Sequence, residues 1–137
     1  MTASNDCIFC KFGRGEAKPA VIHENDKFMA FLDVAPATRG QALIIPKKVH
    51  IDYIFDVPDS LMAEMFIYSK TIAKAIDKAL NPKRTALVVH GLDVSHVHVK
   101  LYPIYPGSFL DFQPKEPRPS NEELRELAGK ISVKIKN

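Results

Sequence analysis

A long helical pattern in the middle of the chain constrains the fold more than any other feature. Apolar and small side chains recur there at steps of three and four residues, as on one face of an amphipathic helix. Asn81-Pro82 ends the pattern, because proline disfavours the α conformation in the residue before it. We interpret the stripe as core contact. Its members are Leu61, Met62, Met65, Phe66, Ser69, Ile72, Ala73, Ile76 and Leu80.

Shorter segments on either side of this helix have the character of β-strands. A capping box at Ser120-Asn121-Glu122-Glu123 then opens a terminal helix. The sequence therefore predicts an α+β fold with a mainly antiparallel sheet, one long helix and a C-terminal helix. We expect one domain over residues 1–137, with a core at about 7–105 and an irregular proline-rich segment plus helix at 106–137. The predicted strands are Val21–His23, Lys27–Asp33, Gln41–Ile45, Thr85–Val89 and His96–Tyr102.

Composition excludes several classes of protein. The net charge of +3 is too small, and the basic residues too scattered, for a nucleic-acid-binding face. Apolar runs such as Ala42–Ile45 fall far short of the roughly 20 residues that span a bilayer, so we expect no membrane partner. Met1–Asp6 has neither the basic nor the apolar region of a secretory signal. We therefore expect a cytoplasmic protein.

Two cysteines stand three residues apart, at Cys7 and Cys10. A disulfide is uncommon in the cytoplasm, and a redox CxxC usually opens a helix after a strand. The third use is metal binding, since two thiolates and two imidazoles from His50 and His96 would complete a tetrahedral site. The long gaps between these residues do not match a zinc finger, so spacing alone leaves the three uses open.

The segment from His96 to Tyr102 carries the most chemistry. On a strand, alternate side chains share a face, so His96, His98 and Lys100 would line one surface. Two imidazoles and an ammonium can surround a phosphate: an imidazole nitrogen can attack phosphorus, and cations stabilise its oxygens. An exposed alternating face without a function explains the spacing equally well.

These residues resemble a known family. The strand His96-Val97-His98-Val99-Lys100-Leu101-Tyr102 resembles the signature strand of the histidine triad (HIT) family. Three further blocks resemble HIT blocks in the same order. They are Cys7-Ile8-Phe9-Cys10-Lys11, Phe31-Leu32-Asp33-Val34 and Gly40-Gln41-Ala42-Leu43-Ile44-Ile45-Pro46-Lys47-Lys48.

The resemblance implies an α+β homodimer that binds a purine nucleotide or nucleotide conjugate and cleaves it at the α-phosphate. His98 matches the family nucleophile, which would form a nucleotidyl-histidine intermediate that water then hydrolyses. Asp33 matches the carboxylate that accepts hydrogen bonds from the ribose hydroxyls. The apolar walls of the base pocket would be Phe9, Phe12, Phe31, Leu32 and Val34.

The resemblance also implies a structural zinc ion on Cys7, Cys10, His50 and His96. Four protein ligands leave no open position for a catalytic water. The Pro-Lys-x-His segment of the family is one residue longer here, at Pro46–His50.

Two departures concern catalysis. Lys100 replaces the third histidine, and lysine keeps a positive charge but does not exchange protons near neutral pH as imidazole does. The loop His90–Ser95 lacks a family hydroxyl that contacts phosphate. Asp93 lies near its position, and Ser95 is the nucleotide-binding candidate that would supply a hydroxyl instead. Besides a hydrolase or transferase, the sequence fits a nucleotide sensor with little turnover, or a zinc-stabilised dimer without a nucleotide.

Overall fold

The computed structural model describes residues 6–135 as a five-stranded sheet with three helices. Residues 1–5, which carry most of the segment examined for a signal, and residues 136–137 lie outside the described part. The elements are α1 (Ile8–Arg14), β1 (Val21–Glu24), β2 (Phe28–Leu32), β3 (Ala42–Pro46), a 3₁₀ turn (Ile54–Asp56), α2 (Asp59–Leu80), β4 (Arg84–Val88), β5 (Val99–Ile104) and α3 (Asn121–Ser132).

The strands lie in the order β1-β2-β3-β5-β4, and every neighbouring pair is antiparallel. The predicted α+β class is confirmed, as are the long helix and the terminal helix with its capping box on Ser120. None of the helices in the described part of the chain has the length and apolar character that crossing a membrane requires.

The two faces of the sheet bury different sets of side chains, as strand alternation requires. One face packs against α2 and α3 and forms the main core, with Leu32, Ile44 and Leu101 from three strands. The other face carries a smaller cluster in which Phe31 and Leu43 meet Phe9 of α1. The functional candidates lie on this second face, because alternation places Lys100 there beside Leu43.

The helix α1 is a correction to the sequence analysis, which assigned no helix to this segment. The Cys7 sulfur accepts a hydrogen bond from the backbone N–H of Cys10 and caps the first turn. Gly15 ends the helix at φ 78°, a left-handed conformation that glycine adopts without steric cost. The pair of cysteines therefore stands on a helical turn.

A second correction concerns the strand predicted at His96–Tyr102. The strand begins at Val99, so His96 and His98 precede it. The physical reason is the backbone of Val97, whose N–H donates to the carbonyl of Ile51 at 2.7 Å, outside the sheet. The two histidines are therefore held by contacts outside the sheet: the His96 ring contacts the carbonyl of Pro46, and the His98 ring contacts the carbonyl of His96.

The close packing of α1 against the backbone of Lys47 predicts how replacing Gly13 by alanine changes the stability of the fold. A Cβ added at Gly13 would lie 2.3 Å from the backbone oxygen of Lys47. Gly13→Ala should therefore lower the free energy of unfolding by about 1–3 kcal/mol, the usual cost of overpacking. Urea denaturation measures this change.

Gly129→Ala is the matched control, because a Cβ there meets nothing within 4 Å. In a helix interior it should raise stability by about 0.5–1 kcal/mol. Equal stabilities of Gly13→Ala and the unmodified chain would contradict the packing described for α1.

Candidate functional site

Four residues from three separate segments converge at the N-terminal end of α1. Cys7 and Cys10 come from that helix, His50 follows β3, and His96 precedes β5. One ligand atom from each lies within 4.8 Å of the other three. The Cys10 sulfur is 3.2 Å from Nδ1 of His50 and 3.4 Å from Nδ1 of His96. The sulfur of Cys7 lies 3.3 Å from the same nitrogen, Nδ1 of His96.

These spacings fit a tetrahedral metal ion. Bonds of about 2.3 Å to sulfur and about 2.0 Å to nitrogen place such ligands about 3.5 Å apart. Nε2 of His96 faces the carbonyl of Pro46 at 3.1 Å and donates to it, which leaves Nδ1 as the ligand atom. Burial lowers the pKa of His96 to about 4, so the ring is in the neutral form that binds metals.

His98 lies next to this cluster, with 1 % of its surface exposed. Its Nδ1 is 2.7 Å from the carbonyl oxygen of His96. A carbonyl only accepts, so Nδ1 carries the proton and Nε2 keeps its lone pair. Burial lowers the pKa of His98, which favours this neutral form. The arrangement is the one that a nucleophilic imidazole needs.

Lys100 and Asp93 form an ion pair beside His98. The lysine side chain is 8 % exposed and the carboxylate 60 % exposed. The hydrogen bond from Lys100 lowers the pKa of Asp93, so the carboxylate is ionised at neutral pH. The pairing offsets the repulsion that Asp93 alone would exert on a phosphate. His96, His98 and Lys100 are all buried, which excludes the interpretation as an exposed face without contacts.

A cavity of about 870 Å³ opens over the second face of the sheet. Its floor is a row of side chains that pair across four neighbouring strands, with Lys100 beside Leu43, Leu43 beside Phe31 and Phe31 beside Val21. His98 forms part of the wall at the Lys100 end. The cavity therefore has a polar, phosphate-compatible end and an apolar floor.

Six of the seven residues predicted to bind the nucleotide line this cavity. They are Phe9, Phe12, Phe31, Leu32, Asp33 and Val34. The three phenylalanine rings also pack on one another, with centroids 5.1–6.0 Å apart, so they serve the smaller core as well. Ser95 is exposed and is not among the lining residues. The structure therefore does not place this hydroxyl beside the cavity.

Gln41 is a site residue that the sequence analysis did not assign. It is 3 % exposed, and its Nε2 donates to Oδ2 of Asp33 at 2.7 Å. Its Oε1 accepts from the N–H of Ala37 at 2.7 Å, and the N–H of Ala35 donates to Oδ1 of Asp33 at 2.9 Å. These bonds fix the carboxylate and leave lone pairs for a ligand. No short sequence pattern signals such a contact.

The two remaining histidines differ in their surroundings. The ring of His90 lies 6.3 Å from that of His98 and 6.2 Å from that of Phe112 in the proline-rich segment. His23 lies elsewhere, with Nδ1 2.8 Å from the hydroxyl of Tyr68. That hydroxyl donates to the His23 carbonyl, so His23 has a structural partner.

Comparisons with known proteins agree with this geometry. The family model described as HIT domain matches residues 14–106. An adenosine 5'-monophosphoramidase of Schizosaccharomyces pombe is 32% identical over 95% of this chain and 98% of that protein. An adenylylsulfatase of Arabidopsis thaliana is 35% identical over 74% of this chain and 54% of its own length. The crystal structure of a Zn-bound histidine triad family protein from Mycobacterium smegmatis has a TM-score of 0.80 and 27% identity, covering 94% of this chain and 92% of that one.

Proposed function

The chain belongs to the HIT domain family, and from this premise we propose that it cleaves purine nucleotide conjugates at the α-phosphate through a covalent intermediate on His98. The substrates would be nucleoside phosphoramidates or dinucleoside polyphosphates. The observation that carries the proposal is the orientation of His98, with Nδ1 on the carbonyl of His96 and its ring in the wall of the cavity. The relative named as a monophosphoramidase supports the reaction class.

The reaction would proceed in two displacements. The lone pair on Nε2 of His98 attacks the α-phosphorus, a P–N bond forms and the bond to the leaving group breaks. Water then attacks the same phosphorus, and the imidazole leaves with the electron pair of the P–N bond. Two steps of this kind replace one difficult displacement.

The other residues of the cavity would bind and orient the nucleotide. The ammonium of Lys100 would stabilise charge on the phosphate oxygens. Asp33, held by Gln41, would accept from the ribose hydroxyls, and the three phenylalanines would contact the base. Ser95 stays a prediction without geometric support.

We also propose that the four-residue cluster holds zinc. The donor set of two thiols and two neutral imidazoles, at tetrahedral spacing, is typical of structural zinc. The Zn-bound relative supports this assignment. The ion would supply no reaction step, since Cys7, Cys10, His50 and His96 occupy all four positions. It would hold the His96 peptide, whose carbonyl orients His98.

The homodimer, the single domain over residues 1–137 and the cytoplasmic location stay predictions. The position of β4 at the sheet edge supports the dimer, because an edge strand leaves backbone groups for a second chain. Leu87 on this strand is 43 % exposed, and Leu92 in the following loop is 84 % exposed.

One observation favours a second candidate, a nucleotide sensor with little turnover. Lys100, in the third triad position, is paired with Asp93. The pair reduces the positive charge available to the phosphate and offers no imidazole for proton transfer. In this case the cavity would bind a nucleotide without cleaving it.

The zinc proposal predicts the composition and stability of the purified protein. Elemental analysis should find about one zinc per chain. Cys10→Ser should lose the metal and lower the melting temperature by at least about 5 °C, because ligand loss removes binding energy that stabilises the fold. His23→Gln, a histidine outside the cluster, should keep its zinc. Well under one zinc per chain, with both thiols freely titratable, would contradict the site.

The catalytic proposal predicts release of nucleoside monophosphate from adenosine or guanosine 5'-phosphoramidate. His98→Ala should reduce the rate by at least about 1,000-fold, because the nucleophile is gone. Chromatography of the products measures the rate, and His23→Gln is the control expected to keep it. Equal, negligible release by all three proteins, together with tight AMP binding, would support the sensor and overturn the enzyme.

A further inference from the structure

The cavity over the sheet extends beyond the residues that the proposed reaction uses. Its floor crosses four strands, from Lys100 on β5 to Val21 on β1. Three interstrand spacings of about 4.8 Å make this about 14 Å, a length comparable to that of an extended nucleoside monophosphate. A nucleotide with its α-phosphate at His98 therefore points its base toward β1.

Two exposed basic side chains line the cavity near β1. Lys18 comes from the segment before that strand, and Arg125 comes from α3. Neither side chain takes part in an ion pair within the described residues 6–135.

Of the two carboxylates among the lining residues, Asp93 pairs with Lys100 at the phosphate end. Asp33 follows β2 and accepts hydrogen bonds from Gln41 and from the N–H of Ala35. The end near β1 therefore holds two cationic donors, and the carboxylate nearest to it, Asp33, already accepts two hydrogen bonds and is the group that the proposed function assigns to the ribose.

This chemistry discriminates between purine bases. The edge of guanine presents two adjacent acceptors, O6 and N7, whereas adenine presents the N7 acceptor beside an N6 amino donor. Lysine ammonium and arginine guanidinium only donate, and arginine is the common partner of O6 and N7. Asn121, which also lines this end, can donate or accept and does not discriminate by itself.

We propose that Lys18 and Arg125 select nucleotides with a 6-keto purine, guanine or hypoxanthine, over adenine. The proposal rests on the proposed function, because it takes the phosphate position from His98. It adds a specificity-determining pair on the terminal helix and the segment before β1.

Binding of product nucleotides tests the proposal without any need for turnover. In calorimetric titrations, inosine 5'-monophosphate (IMP) and GMP should bind about 5- to 20-fold more tightly than AMP. A difference of this size is what charge-assisted hydrogen bonds contribute at a partly open site. IMP and AMP differ chiefly at position 6 of the base, so their ratio isolates the keto group.

Arg125→Gln and Lys18→Gln should each reduce the IMP to AMP preference toward one while changing AMP affinity by less than about twofold. Lys130→Gln is the matched control, since Lys130 lies on the same helix and is not among the residues that line this cavity. It should keep the preference.

Three results would overturn the proposal, and they differ in what else they overturn. Equal affinities for IMP and AMP in the unmodified protein would contradict the proposed base selection but not the proposed reaction. Equal weakening of both nucleotides in Arg125→Gln would show general attraction of the phosphate charge instead of base recognition. No binding of any of the three nucleotides would contradict the proposed function as well.

Discussion

The peptide of His96 links the two candidate centres of this protein. Its carbonyl accepts from Nδ1 of His98 at 2.7 Å, which fixes the tautomer with a free Nε2. The His96 ring contacts the sulfurs of Cys7 and Cys10 through Nδ1, and it donates to the carbonyl of Pro46 through Nε2. A change in the cysteine cluster would therefore move the group that orients the proposed nucleophile. Through this connection, a metal ion bound by the cluster would influence the orientation of the proposed nucleophile.

The ion pair of Lys100 and Asp93 sets the electrostatics on the other side of His98. A buried ammonium near a phosphate site would be costly without a partner, and the partly exposed carboxylate supplies one. The same carboxylate keeps part of the cavity edge negative. We expect the balance between these charges to set how strongly the site holds a phosphate, and the two proposed functions, hydrolase and sensor, differ in this respect.

Several candidate residues could be found from the sequence because they carry a local pattern, whereas their roles followed from the resemblance to the HIT family. The spacing of Cys7 and Cys10, the histidines near Val97 and the apolar periodicity of α2 each have a physical signature. Other features depend on contacts between distant segments. The strand starts at Val99 because the N–H of Val97 binds Ile51, and Asp33 is held by Gln41. No local pattern encodes either contact, and a sulfur cap for α1 is uncommon among helix starts.

The covalent intermediate on His98 tests the central claim most directly. A single-turnover reaction with adenosine or guanosine phosphoramidate, quenched before product release and mapped by peptide mass spectrometry, would detect it. The account predicts a nucleoside monophosphate linked to His98 that is absent from His98→Ala. Product formation with no modified histidine at any time point, or modification of another histidine instead, would contradict it.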